Sequence, residues 1–260
     1  MTEVFLSTLQ KVGMLLIFIA VGYLLTVPMV LYLKPWQQVA AIVVLLIIYS
    51  VPMHLHGDWS TQCNFAAVVD KAVLGRFRDG SVLAADGAVH FAPWYDYTWL
   101  WSSLTFCCTV ALGSLAGYLT KNGNANRPLV ARRLLLVGVV LVAMGALAGI
   151  WQPIVKRIWT ASFTLYSAGW CYLLLALFYW WIDVKGHAKG WSWLLCFGCN
   201  AITAYLIGEM VNFRSIAQSL LYGTAQYLGD WYPVLLTLCN SIVVFVILRI
   251  MYRNKLFLKV

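Results

Sequence analysis

Seven apolar runs, near 12–33, 37–54, 97–119, 133–152, 159–182, 191–211 and 232–252, leave this chain few ways to fold. Each is about long enough, at roughly 20 residues, to cross a hydrocarbon core as a helix. Composition points the same way: 62% of the residues are hydrophobic and 10% are charged, against about 45–50% and about 25% in soluble domains. The expected fold is all-α, a polytopic membrane helical bundle of about seven transmembrane helices. Neither a soluble domain nor an internal repeat is evident, so residues 1–260 are read as a single domain.

Alternating the connections between two membrane faces lets the charges choose an orientation. One face collects Lys34, Lys121, Arg127, Arg132, Arg133, Lys185, Lys189, Arg249, Arg253, Lys255 and Lys259 against the single anion Asp183. The remaining seven cations and eight anions fall on the other face. The positive-inside rule makes the first face cytoplasmic, which sets the C-terminus inside and the N-terminus outside. The net charge of +9 therefore describes orientation, and no nucleic-acid partner is expected. An outside N-terminus is unusual for "MTEVFLSTLQKVG", which lacks the basic n-region and h-region of a signal peptide.

Cysteine and histidine offer little chemistry. Six of the seven cysteines fall within apolar runs and only Cys63 lies in a loop, a pattern unlike a disulfide framework. Cys196 and Cys199 have redox or zinc spacing, yet no second ligand pair accompanies them, so they read as small packing residues. His54 and His56 have Asp58 alone beside them, and no metal site is expected.

The long connection is external, over 55–96. Within it "FAAVVDKAVLGRF" has helical apolar spacing and predicts a short amphipathic helix ending near Gly80. "GSLAG" at 113–117 and "GALAG" at 145–149 each place two glycines four apart on a helix face. Close packing on neighbouring helices within the bundle is the plain reading of both, and a homodimer seam is the other.

Polar side chains at membrane depth are costly and call for a reason. "CNAITAYLIGEM" carries Asn200, Tyr205 and Glu209, of which Tyr205 and Glu209 share a helix face. Asn200 can be interhelical glue, and Glu209 either sits at headgroup level or acts in function. Asp183 opens "DVKGHAKG" at a cytoplasmic helix end, where Lys185 and the backbone could meet a phosphate-bearing ligand. Lys156 and Arg157 lie in a very short external connection where cations are disfavoured, behind the helix-breaking Pro153. Pairing or anion binding would account for them. Trp159 there suits an interfacial anchor, and Thr160 and Ser162 suit helix caps. Asp58, Asp70 and Asp96, interleaved with Trp59, Trp94 and Trp99, would suit a polyhydroxylated or amine-bearing ligand, although tryptophan is ordinary at a membrane interface.

Taken together, "PIVKRIWTASFTLYSAG", "WIDVKG", "GCNAITAYLIGE" and the ending "MYRNKLFLKV" resemble, in that order and spacing, the multi-span acyltransferases typified by heparan-α-glucosaminide N-acetyltransferase and its bacterial membrane relatives. The likeness extends upstream through "NFAAVVDKAVLGR" and "YDYTWLWSSLTF" to "STLQKVG", covering nearly the whole chain. It departs where Val155 replaces the usual asparagine, and where Tyr97, Thr98 and Trp99 replace a proline–glutamate–glycine run. Lys156, Trp159, Asp70, Asp96, Asp183, Asn200 and Glu209 match the family pattern. The resemblance implies acetyl transfer from cytoplasmic acetyl-CoA, the acyl donor, to the amine of glucosamine or a glucosamine-terminated saccharide across the cytoplasmic (inner) membrane. Asp70, Asp96, Lys156 and Glu209 are then supporting catalytic candidates. Trp159, Thr160, Ser162, Asp183, Lys185, Asn200 and Tyr205 are candidates for binding substrate or acetyl-CoA. The family's catalytic histidine lies ahead of the region matching "STLQKVG", and none of the four histidines here takes its place. The resemblance thus implies about three further spans, roughly 100 residues at about 20 per span, as an N-terminal part or a separate fragment. A non-catalytic membrane protein binding acyl-CoA or sugar, and a sugar transporter, are the competing expectations.

Overall fold

The computed structural model describes residues 2–78, 80–83, 88–91, 97–122, 126–210 and 213–257. Among the described residues the chain is all-α apart from one small hairpin, and it divides into two compact units: residues 13–187, and residues 1–12 with 188–260.

The larger unit is built from α1 (Thr2–Tyr32), which begins in the other unit, α2 (Pro35–His56), α3 (Phe65–Leu74), α4 (Ser103–Asn122), α5 (Arg127–Ala148) and α6 (Ala161–Phe178). Local chemistry sets most of these ends. Pro35 opens α2 with its φ already helical, while the Gln37 side chain accepts from the Lys34 N–H at 2.8 Å. Gly57, at φ 75°, closes α2 in the left-handed conformation, and its N–H donates to the Met53 carbonyl. Asn64 caps α3 by accepting from the Ala67 N–H at 2.9 Å, and Asn126 caps α5 in the same manner. The amphipathic helix expected in the external loop is α3, which tightens into a 3-10 turn over Gly75–Phe77. Beyond it the antiparallel hairpin of β1 (Ser81–Leu83) and β2 (Val89–Phe91), paired Val82 to His90, carries no period the sequence had announced.

The bundle core is a layer of Ile42, Leu46, Tyr49, Cys108, Leu134 and Tyr172 from α2, α4, α5 and α6. Helices α5 and α6 approach so closely that a Cβ on Gly145 would sit 2.5 Å from the Tyr166 backbone nitrogen. On Gly169 it would sit 2.6 Å from that of Val142. Helix α1 joins α4 through Gly22 and Thr26; the Thr26 hydroxyl donates to the Gly22 carbonyl at 2.8 Å, with the Cys107 carbonyl at 3.2 Å.

Two expected spans are altered. The run at 97–119 becomes helical only at Ser103, because residues 97–102 form a turn held by a side chain from α3. The run at 191–211 is broken at Asn200 (φ −130°, ψ 35°) into α7 (Ser192–Cys199) and α8 (Ala201–Met210) of the smaller unit. That unit continues with α9 (Phe213–Leu221), α10 (Ala225–Leu228) and α11 (Tyr232–Arg253), so the stretch before the last run holds two short helices. Helix α11 packs on α7 partly through Phe197 and Phe245, whose rings stack at 5.9 Å.

Five helices of the described residues are long and apolar enough to cross a membrane: Pro35–His56, Ser103–Lys121, Arg127–Ala148, Ala161–Val184 and Gly229–Arg253. A shorter apolar stretch covers Leu16–Tyr32. These helices support a multi-pass membrane protein. Their surfaces agree, since Leu24, Ile47, Val140 and Ile242 are all largely exposed, as side chains facing lipid would be.

Candidate functional site

The connection from α5 to α6 and the turn before α4 meet at one end of the larger unit. Helix α5 ends at Ala148, Pro153 follows a short turn, and Lys156 to Trp159 form a tight turn in which the Trp159 N–H donates to the Lys156 carbonyl at 3.1 Å. Trp159 is driven to φ 49°, a region that side chains with a Cβ avoid. Its indole is what the strain secures. The ring lies edge-on between Phe106 (4.9 Å) and Phe163 (5.1 Å), and its Nε1 donates to the Thr109 hydroxyl at 3.2 Å. Lys156 and Arg157 point outward and are exposed.

Thr160 caps α6. Its buried hydroxyl accepts from the Phe163 N–H at 3.3 Å and from the Val155 N–H at 3.2 Å, and lies 3.0 Å from the Ser162 hydroxyl. Ser162 in turn donates to the Pro153 carbonyl at 3.2 Å. Both hydroxyls therefore fasten the connection, Thr160 as the cap expected of it and Ser162, inside α6, as a tie back to Pro153 and not as a cap.

Beside this turn, Ile158 is wholly buried and its carbonyl accepts twice, from Tyr49 Oη at 2.8 Å and Ser102 Oγ at 3.1 Å. Ser102 also lies 2.7 Å from the Thr98 hydroxyl, and Trp101 Nε1 donates to the Tyr49 carbonyl at 3.3 Å. Tyr49 and Ser102 were not singled out from the sequence, and Thr98 was noted only as a departure from the family pattern. A hydroxyl inside an apolar run was the available signal, but it does not say which distant carbonyl it will meet.

Asp70 explains why α4 starts late. It is fully buried, and its two carboxylate oxygens accept from the Trp99 N–H at 2.7 Å and the Leu100 N–H at 2.9 Å. A carboxylate accepting backbone N–H groups just ahead of a helix satisfies donors that otherwise have no partner there. The turn it holds places Trp99 between Phe18 (5.8 Å) and Tyr97 (6.1 Å), and Trp159 packs against the same cluster. Asp70 and Trp159 thus flank one aromatic patch. Asp96 and Trp94 lie outside the described residues. At the loop's start the Asp58 carboxylate accepts from the Ser60 N–H (2.7 Å) and hydroxyl (3.0 Å), which hold its pKa below the ordinary value.

The second group of candidates sits at the far end of α6. There the helix widens into a π turn over Tyr179–Val184, closed by the Lys185 N–H donating to the Trp180 carbonyl at 3.0 Å. Asp183 is exposed; its backbone carbonyl, not its carboxylate, accepts from Arg127 Nη1 at 3.0 Å. The Lys185 ammonium lies over the Trp180 ring at 5.3 Å, and His187 stacks on Trp181 at 4.7 Å. Exposed Lys34, Lys121, Arg127, Arg132 and Arg133 gather at this end, where α2 and α5 begin and α4 stops. Between Thr160 and Val184 run 24 residues, about 36 Å of helix at ~1.5 Å per residue. One side chain cannot serve both ends.

Asn200, Tyr205 and Glu209 belong to the smaller unit. Asn200 is buried at the break between α7 and α8, and among the described residues neither atom of its amide has a hydrogen-bond partner. Tyr205 is exposed; Glu209 lies on α8, and its side chain is outside the described residues. Among the described residues no group of three or more His, Cys, Asp or Glu side chains is placed to hold a metal. His56 Nε2 instead lies 2.8 Å from the Cys63 carbonyl.

The fold and these sites define the chain as an all-α protein with helices suited to a multi-pass membrane protein. Neither a known protein family nor a curated protein matches its sequence.

Proposed function

We propose that this chain is a seven-span membrane protein with its basic end cytoplasmic, and that it takes part in acetyl transfer from cytoplasmic acetyl-CoA to the amine of glucosamine or a glucosamine-terminated saccharide. The reading rests on the resemblance to heparan-α-glucosaminide N-acetyltransferases. The observation that carries it is the polarity of the larger unit. An exposed cationic end, with Arg127 and Lys185, suits the phosphates of CoA. At the other end of α6, exposed Lys156 lies three residues before the half-buried Trp159, in the connection that matches the family pattern, which supports an acceptor site there. Asp70 enters as a positioning residue, since its oxygens hold the turn before α4; Thr160 and Ser162 shape the Lys156 connection.

Membranes that carry this chain together with the histidine-bearing spans the resemblance implies, given radiolabelled acetyl-CoA on the basic side and glucosamine on the other, test it. Labelled N-acetylglucosamine is expected, with product formation by Lys156→Ala lowered ~tenfold, the scale of one charge-assisted hydrogen bond. No labelled product from such wild-type membranes would overturn the reading. Thermal stabilisation by CoA without turnover would favour a binding protein, and sugar flux without acetyl-CoA a transporter.

A further inference from the structure

Helix α5 carries its arginines on two different faces. One face packs on α6 through Gly138 and Gly145, where a Cβ would press on Leu173 and Tyr166. Arg127 lies 18 residues before Gly145, five turns at ~3.6 residues each, so it shares that face, and its Nη1 donates to the Asp183 carbonyl at 3.0 Å. Arg132 and Arg133 do not share it. Counted from Gly138 at ~100° per residue, they stand about 120° and about 140° round the helix, one on either side of the direction that faces away from α6. Both are exposed. Seven residues further along the same two stripes, Val139 and Val140 are exposed as well, at 52% and 54%. Two guanidinium groups therefore head a surface that is otherwise apolar and suited to lipid.

Their depth is that of a headgroup. From Leu134 to Ile150 every residue is apolar, 17 in all, about 26 Å at ~1.5 Å per residue, close to the ~30 Å of a hydrocarbon core. Arg133 ends that stretch on the basic side. Side chains on a helix lean toward its N-terminus, which for α5 is the basic end, so both long side chains carry their charge out of the hydrocarbon toward the nearer leaflet's phosphates. Trp36 and Tyr118 are exposed at the same end of α2 and α4, as interfacial aromatic side chains are.

Charge selects the partner. Among the described residues the basic end of the larger unit offers a single carboxylate, Asp183, and its backbone lies on the Arg127 side of α5. The counter-charge that suits Arg132 and Arg133 is one that the membrane supplies, since a guanidinium fork matches phosphate oxygens and a basic cluster beside a span attracts anionic lipid. A water-soluble phosphate would have to leave water for this surface, whereas a lipid phosphate is already there.

We propose that Arg132 and Arg133 form a binding site for the phosphate of an anionic glycerophospholipid in the leaflet at the basic end, each guanidinium donating to its oxygens. The site is independent of acetyl transfer, for which Arg127 and Lys185 on the α6 side are the cations invoked, so either can fail alone.

The test is native mass spectrometry of the full chain, delipidated in detergent and titrated with phosphatidylglycerol or phosphatidylcholine of the same acyl chains. The wild-type chain is expected to retain phosphatidylglycerol at least about fivefold more tightly, the scale of one cation at an anionic surface. Arg132→Gln with Arg133→Gln should remove that preference and leave phosphatidylcholine retention as it was. Arg253→Gln with Lys255→Gln, which takes the same charge from the smaller unit, should leave the preference in place. Equal retention of the two lipids by the wild-type chain would overturn the proposal without depending on whether either variant folds. So would a preference that survives the loss of both α5 arginines, or one that falls equally in the Arg253 and Lys255 variant and so reflects net charge alone. Displacement of the retained phosphatidylglycerol by CoA would also overturn it, by assigning the arginines to a soluble phosphate.

Discussion

At the residue scale, Asp70, Thr160 and Ser162 are occupied by the backbone, whereas the Asp183 carboxylate is exposed. Asp70 holds the turn before α4 with both oxygens, so Asp70→Asn, which removes the charge and one acceptor, should destabilise the protein by about 2 kcal/mol. Thermal unfolding in detergent measures this. A melting temperature unchanged with activity abolished would instead make Asp70 a chemical participant. Asp58 behaves differently because it lies on the surface. Ser60 stabilises its ionised form and lowers its pKa, so its contribution to stability is present above the unfolded pKa and is lost as pH falls through the folded one. Ser60→Ala removes the hydroxyl but keeps the backbone N–H, the larger cause, so it should move the Asp58 titration part of the way upward toward the ordinary value, followed by NMR of the carboxyl carbon; a titration that stays put would leave the N–H alone as the cause.

At the element scale, the two glycine pairs that look alike in sequence play different parts. Gly145 of "GALAG" is pressed against the Tyr166 backbone, whereas a Cβ on Gly113 or Gly117 of "GSLAG" would meet nothing within 4 Å. Gly145→Ala should therefore cost about 1–3 kcal/mol by overpacking. Gly113→Ala should be neutral or stabilising by up to about 1 kcal/mol through helix propensity. Unfolding of the two variants side by side distinguishes them, and a destabilised Gly113→Ala would show that this face is covered in the membrane. The existence of the helices was legible because about 20 apolar residues suffice to announce a span. The break at Asn200 was not. A single amide in an apolar run has no propensity strong enough to end a helix, and its buried conformation arises from packing.

At the scale of the whole molecule, charge asymmetry predicts an orientation that labelling can check. Cys63 is exposed in the loop after α2, so a membrane-impermeant maleimide should reach it from the non-cytoplasmic side of oriented vesicles. A cysteine introduced as Lys121→Cys at the basic end should react only from the cytoplasmic side. Labelling of both from one side would overturn the alternating topology.

The sequence by itself determined that the chain is helical, where most of its apolar helices run, that "FAAVVDKAVLGRF" holds a short amphipathic helix, and that cations crowd one end, although that helix stops at Leu74 and not near Gly80. These follow from local periodicity, length and charge, each written within a window of neighbouring residues. Only the tertiary structure decided that Asp70 delays α4 and that Tyr49 and Ser102 converge on the Ile158 carbonyl. Those are meetings between residues 29 to 109 positions apart, and contacts at such distances depend on how whole helices pack, which no local pattern encodes.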